Sequence, residues 1–116
     1  WTVRYAVEKY RNGLRGCAVR LLASTGGAVW SEVGAPTSFV ADADTNGYPS
    51  ARCPGLTVVA ERQVTFDSPI AQGRVFYLAW QYAATEGDVT ADAQALGIDD
   101  VQIVPAIAAK NVFLLR

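Results

Sequence analysis

Hydrophobic and polar residues alternate along much of the chain. The opening "WTVRYAVEKY" sets Trp1, Val3, Tyr5 and Val7 on one face against Thr2, Arg4, Ala6 and Glu8 on the other, the period of a half-buried strand. Asn12-Gly13 then predicts a tight hairpin into "CAVRLLAS", where Cys17, Val19, Leu21 and Ala23 fall in phase. "TGG" turns the chain into "AVWSEV", and Pro36 separates that segment from "TSFVADA". Beyond Pro54-Gly55, "LTVVAERQVTF" reads as a strand with one apolar face. "RVFYLAWQYAA" is apolar on both faces, with Phe76, Leu78, Trp80 and Tyr82 opposite Val75, Tyr77 and Ala79. That pattern predicts a strand at a sheet centre or under a partner.

"EGDVTADAQALG" breaks the rhythm. Thr90 suits the cap of a short helix from Ala91 to Leu96, with Gly97 as its stop. "DVQIV" and "AIAAKNVFLL" predict two closing strands divided by Pro105. The expectation is a single all-β domain over residues 1–116, an antiparallel sandwich of about seven to nine strands with one short helix.

At 116 residues the chain is long enough to bury a core without dense cross-linking. Hydrophobic residues make up 51% and charged residues 18%, too apolar for disorder, and no run reaches the length of a membrane span. The net charge of −1 supplies no basic field for nucleic acid. The expected partners are therefore proteins, with no nucleic acid and no membrane insertion. There is no histidine, which removes the commonest general base and metal ligand near neutral pH. No serine sits in a nucleophile elbow, and the glycines form no phosphate loop. There is also no methionine, so Trp1 is expected to be either a processed N-terminus, as in a mature secreted or virion protein, or the start of an excised segment.

Cys17 and Cys53 are the two cysteines. An even count in a small domain, if it is exported, suggests one disulfide, closing a loop of about 35 residues, the alternative being free cysteines of the buried kind. Charge is unevenly distributed: Arg4, Lys9, Arg11, Arg15 and Arg20 accompany only Glu8 early on, whereas Glu86, Asp88, Asp92, Asp99 and Asp100 are clustered later. Such charges form solvated faces or pair within the domain, or else supply complementary surfaces on successive subunits.

"DADTNGYPS" places Asp42, Asp44 and Asn46 at alternate positions before Gly47, as in the first half of a calcium loop. The second half departs from that pattern, since Cys53 stands where a bidentate glutamate would be required. The alternative is a turn, because Asp and Asn bond their own backbone and Asn46-Gly47 supplies positive φ. Calcium at Asp42, Asp44 and Asn46 is the sole cofactor expectation. Trp30 and Tyr48, near turns, are candidate contact residues, while the strand-phase aromatics belong to the core.

"NGLRGCAVRLLASTGG" followed by "FVADADTNGYPS" resembles the prealbumin-like, immunoglobulin-like modules of bacterial surface proteins, of the carboxypeptidase-regulatory-like and CnaB-type families. The resemblance covers roughly the first half of the chain. It implies an Ig-like or prealbumin-like sandwich serving as a stalk, spacer, adhesin part or pilus subunit. In CnaB-type modules it further implies an isopeptide bond, for which Lys9, Glu61 and Asn111 are the matching positions.

Without a catalytic constellation, the expectation is a non-enzymatic structural subunit that assembles with its own copies, or with structural partners, in an extracellular filament or a virion. An apolar terminal strand such as "NVFLLR" can complete a neighbour's sheet or its own. The alternative is a carbohydrate- or receptor-binding module of a larger surface protein, with an exposed aromatic patch.

Overall fold

The computed structural model describes residues 1–44, 53–86 and 92–106. Within them the chain forms β1 (Thr2–Arg11), β2 (Cys17–Ser24), β3 (Ser31–Glu32), β4 (Thr37–Phe39), β5 (Thr57–Gln63), β6 (Tyr77–Ala84) and β7 (Ala95–Val104). The architecture is all-β and sandwich-like. One antiparallel sheet has the order β5-β1-β7; in the other, β2 pairs with β3 and β4 along one edge and with β6 along the opposite edge.

The apolar faces read in the first two segments turn inward as expected, although the opposite faces are partly buried too, at Ala6 and Glu8 of β1 and Ala18 of β2. Val3, Tyr5 and Val7 of β1 pack with Val19, Leu21 and Ala23 of β2, joined by Phe39, Ala60 and Val64. Tyr5 meets Trp80 edge to face at 5.6 Å between centroids, a favoured aromatic geometry. At one end Phe76 lies between Trp1 and Phe66, with centroid distances of 4.9 and 5.2 Å.

The connections depart from the sequence expectation in two places. β1 and β2 do not pair as a hairpin but lie in different sheets, and the link after Arg11 crosses from one layer to the other. Gly13 serves that crossing through its lack of a side chain: a Cβ there would stand 2.3–2.5 Å from the backbone of Asp92, Ala93 and Gln94. The glycine that reads as a hairpin signal is instead a point of close backbone approach.

The second departure is the helix expected from Ala91 to Leu96. Ala91 and the cap Thr90 lie outside the described residues, but Leu96 and the supposed stop Gly97 belong to β7. The register pairs Lys9 with Leu96, Glu8 with Gly97 and Val7 with Ile98. Ladder hydrogen bonds and burial of Leu96 and Ile98 against the core override the local helical preference. Gly97 lies under the Tyr10 ring, whose Cε2 would be 2.9 Å from an added Cβ. The later "DVQIV" is thus the second half of a longer strand, while the expected strand over 107–116 falls outside the described residues.

Replacing Gly13 by Ala forces apart two backbones and is expected to destabilise the fold by about 1–3 kcal/mol, measured as a lowered urea midpoint with an unchanged slope.

Candidate functional site

Asp42, read from the sequence as a calcium ligand or a turn residue, is the centre of a polar cluster at one end of the molecule. Its Oδ1 accepts from Lys9 Nζ at 2.6 Å, and its Oδ2 accepts from the Gly13 N–H at 2.9 Å and from Gln94 Nε2 at 3.1 Å. The Asp42 N–H donates to Gly13 O at 2.8 Å, and Gln94 Nε2 also donates to Val40 O at 2.7 Å. The Lys9 and Asp42 side chains are 9% and 18% exposed, so the pair is largely desolvated. Partial burial acts against the Asp42 charge, but the hydrogen bonds from Lys9, Gly13 and Gln94, with the Lys9 charge, outweigh it and hold the carboxyl below its ordinary range.

These contacts revise two site assignments. The Asp42 oxygens are taken up by protein donors, which favours the turn over a calcium site; Asn46 lies outside the described residues. For the isopeptide triad, Lys9 Nζ bonds Asp42, while Glu61 pairs in register with Arg4, five residues along β1 from Lys9. Five strand residues span about 17 Å, so Glu61 cannot assist chemistry at Lys9; Asn111 lies outside the described residues.

The expected disulfide is also absent. Both cysteines are free thiols, with Cys17 buried in β2 and Cys53 exposed. Cys17 Sγ lies 3.1 Å from the Tyr82 hydroxyl, which donates to Gln94 O at 2.7 Å. Burial, then the contact with Cys17, pushes the Tyr82 hydroxyl up to about 12. Trp30, a candidate contact residue, remains 39% exposed and donates from Nε1 to Gly27 O at 3.2 Å. Tyr48 lies outside the described residues.

Charge does not separate into two poles either. Lys9 is buried against Asp42, and Arg20 reaches Glu32 and Gln81 on adjacent strands. Of the later acidic residues, Asp99 and Asp100 lie on β7 beside β1, with Asp99 opposite Ala6 between Arg4 and Lys9, whereas Glu86 follows β6 and accepts from the Ala41 N–H, and Asp88 lies outside the described residues. Across β1 and β7, Glu8, Asp99 and Asp100 bring carboxylate oxygens within 4.8 Å of one another. Tyr10 donates to Glu8 at 2.6 Å, and this bond, with partial desolvation and the Glu8 charge, raises the phenol to about 12. The cluster was not legible without the β1–β7 register, because Glu8 and Asp99 are 91 positions apart.

The two flanks of the sandwich differ. On one, Arg62 of β5 donates from Nε and Nη2 to Ala35 O at 3.2 and 2.8 Å, tying the first sheet to the loop before β4. On the other, β6 and β7 are edge strands with no pairing to each other among the described residues. Among the described residues they are linked at one end, where the Tyr82 hydroxyl of β6 donates to Gln94 O just before β7, and the nearby bridge of Arg15 to Ala93 ties the β1–β2 crossing to the same approach.

Beyond that closed end the interior face is incompletely covered. Opposed residues share a face, so Leu78 and Trp80 follow Ala23 and Leu21 inward, while Ile98 and Ile103 follow Val7 and Val3. Leu78, Trp80 and Ile98 are half-buried, and Ile103 is 45% exposed although its partner Val3 is fully buried. Tyr5 Oη and Trp80 Nε1, on the rings that meet beside this seam, are buried without a hydrogen-bond partner among the described residues. The strand expected at a sheet centre or under a partner is thus, among the described residues, an edge strand whose inward face is partly open.

A separate cleft of about 770 Å³ lies between the β2–β3 connection and residues 64–75. Val33, Phe66, Ile70 and Val75 supply its apolar wall, and Glu32, Asp67 and Arg74 its charge.

No protein-family model matches the chain, and neither the curated proteins nor the solved structures give a match.

Asp42→Ala leaves the Lys9 ammonium buried and unpaired, with an expected loss of about 3–5 kcal/mol in urea unfolding. For the acid limb, the folded pKa of Asp42 lies below its unfolded value. Its contribution is therefore complete above about pH 4 and is lost as pH falls through the folded pKa. Asp42→Asn is expected to flatten this part of the pH–stability curve, measured by denaturation at successive pH values.

Proposed function

We propose that this protein is a non-enzymatic structural subunit that assembles with its own copies, built as an Ig-like or prealbumin-like sandwich for an extracellular filament or a virion. The observation that carries the reading is the open flank between β6 and β7. Edge strands with exposed apolar side chains template pairing with another chain unless they are covered or charged. Here Val101, Ile103 and Val104 of β7 and Tyr77 of β6 are exposed together with the half-buried Leu78 and Trp80. The polar residues favour structural roles over catalysis: Asp42, Lys9 and Gln94 bind one another, and Tyr82 caps a backbone carbonyl. The free thiols give no support of their own to an oxidising compartment, so the extracellular or virion setting rests on the assembly reading.

The 770 Å³ cleft favours a second reading, a carbohydrate- or receptor-binding module, because it sets the Phe66 ring beside the Glu32, Asp67 and Arg74 charges. Its partner would be a ligand that packs on an aromatic ring and meets those charges. A glycan array probed with the purified chain tests that reading, and binding abolished by Phe66→Ala or Arg74→Ala in a chain that still folds would support it.

Self-assembly predicts particles that grow with concentration in light scattering. Because the open flank is apolar, growth is expected to persist at 1 M salt, where screening reaches about 3 Å. Ile103→Lys places a charge on the inward face of β7 and is expected to raise the concentration needed for assembly about tenfold or more. A monomer at every concentration would refute the assembly reading.

A further inference from the structure

We infer that the cleft between the β2–β3 connection and residues 64–75 takes an acidic sugar, a pyranose ring that carries a carboxylate. The inference rests on the binding-module reading and deepens it by naming the ligand. A volume of about 770 Å³ falls within the range of small-molecule sites. The floor of the cleft is the core itself, since its lining residues Ala23, Val33 and Val64 are buried.

A specific turn brings one cation to this wall. The Arg74 N–H donates to Ala71 O at 3.0 Å, and Gly73 between them has a φ of 81°. Positive φ at the third residue of a four-residue turn is the position that demands glycine. The turn over 71–74 thereby closes and sets Arg74 on the cleft. Arg20 is engaged with Glu32 and Gln81, and Arg62 with Ala35 O. The Arg74 guanidinium, by contrast, has no hydrogen bond or ion pair among the described residues. A planar guanidinium with its donors free is matched by a carboxylate, which it binds through two parallel hydrogen bonds.

The rest of the wall specifies what must surround that carboxylate. Asp67 has no partner among the described residues, and Glu32 commits Oε2 to Arg20 at 3.3 Å. Ionised carboxylates accept and do not donate, so the ligand must be rich in donors, and sugar hydroxyls supply donors without adding charge. The Phe66 ring, braced against Phe76 at 5.2 Å between centroids, offers an aromatic surface to the C–H face of a pyranose. Two carboxylates against one guanidinium disfavour a polyanion, whose further charges would be repelled. An aliphatic ligand would cover these charges and pair none of them.

The test is a saturation-transfer NMR titration of the full chain, which observes the sugar and therefore reads monomer and assembly alike. Three probes differ only at the exocyclic carbon: methyl β-glucuronide, its uncharged amide and methyl β-glucoside. A fourth, a methyl sialoside, distinguishes the two common sources of a sugar carboxylate. The expected result is that at least one of the two acids binds about tenfold tighter than the amide and the glucoside. Arg74→Gln, at an exposed position outside the strands, is expected to keep the circular dichroism of the fold and to bind all the probes alike. Equal affinity for acids and neutral probes in the unaltered chain overturns the inference and leaves carbohydrate binding standing. A preference for acid that survives Arg74→Gln places the carboxylate elsewhere and also overturns it. Absence of transfer to every probe overturns the inference and, together with a blank glycan array, the binding-module reading beneath it.

Discussion

The Asp42 carboxylate is the interaction on which the arrangement of the two sheets most depends. It gathers an ammonium from β1, a backbone N–H from the β1–β2 crossing and an amide from the approach to β7, while its own backbone follows β4 in the other sheet. Three stretches far apart in sequence, around Lys9–Gly13, Asp42 and Gln94, thus meet at one anion. Removing water from a carboxylate and an ammonium costs several kcal/mol, so the arrangement holds only because each oxygen finds a donor. The crossing loop is short and the glycine within it has no room for a side chain, which leaves the cluster little freedom to relax.

From that clamped end the molecule becomes progressively less sealed. β1 and β2 bury their inward faces almost completely, whereas β6 and β7, outside them, cover theirs only in part. The opposite flank is bound by the Arg62 guanidinium to a loop carbonyl. The sandwich therefore has one flank closed by polar contacts and one that is apolar and incomplete. The polar flank suits exposure to water, and the apolar flank suits a further strand.

Much of the architecture was legible in the sequence because it depends on alternation. The inward faces of β1 and β2 follow from Val3, Tyr5, Val7, Val19 and Leu21, and the two-sided apolarity of β6 already called for a partner. Connectivity was less legible. Asn12-Gly13 carries the same local signal whether the chain turns back on itself or crosses to another layer, and the close approach of Asp92–Gln94 that decides between them is 79 or more positions away. Thr90 and Gly97 gave a helical signal of a few residues, which the ladder on β1 overrode from Ala95 onward. The candidate sites failed for a related reason. Asp42 and Lys9 were each noticed separately, but nothing in their spacing of 33 residues announces that they neutralise one another. Gln94 carries no sequence signal for its role at all.

The Tyr82–Gln94 hydrogen bond gives the open flank a blind end. Among the described residues, β6 and β7 are bridged where the tyrosine hydroxyl meets the glutamine carbonyl and run unpaired toward the Trp1 and Val104 end. The two edge strands are thus hinged like the covers of a book, bound at one end and free at the other. Because the bond joins one sheet to the approach of a strand in the other, its loss would free both layers at once.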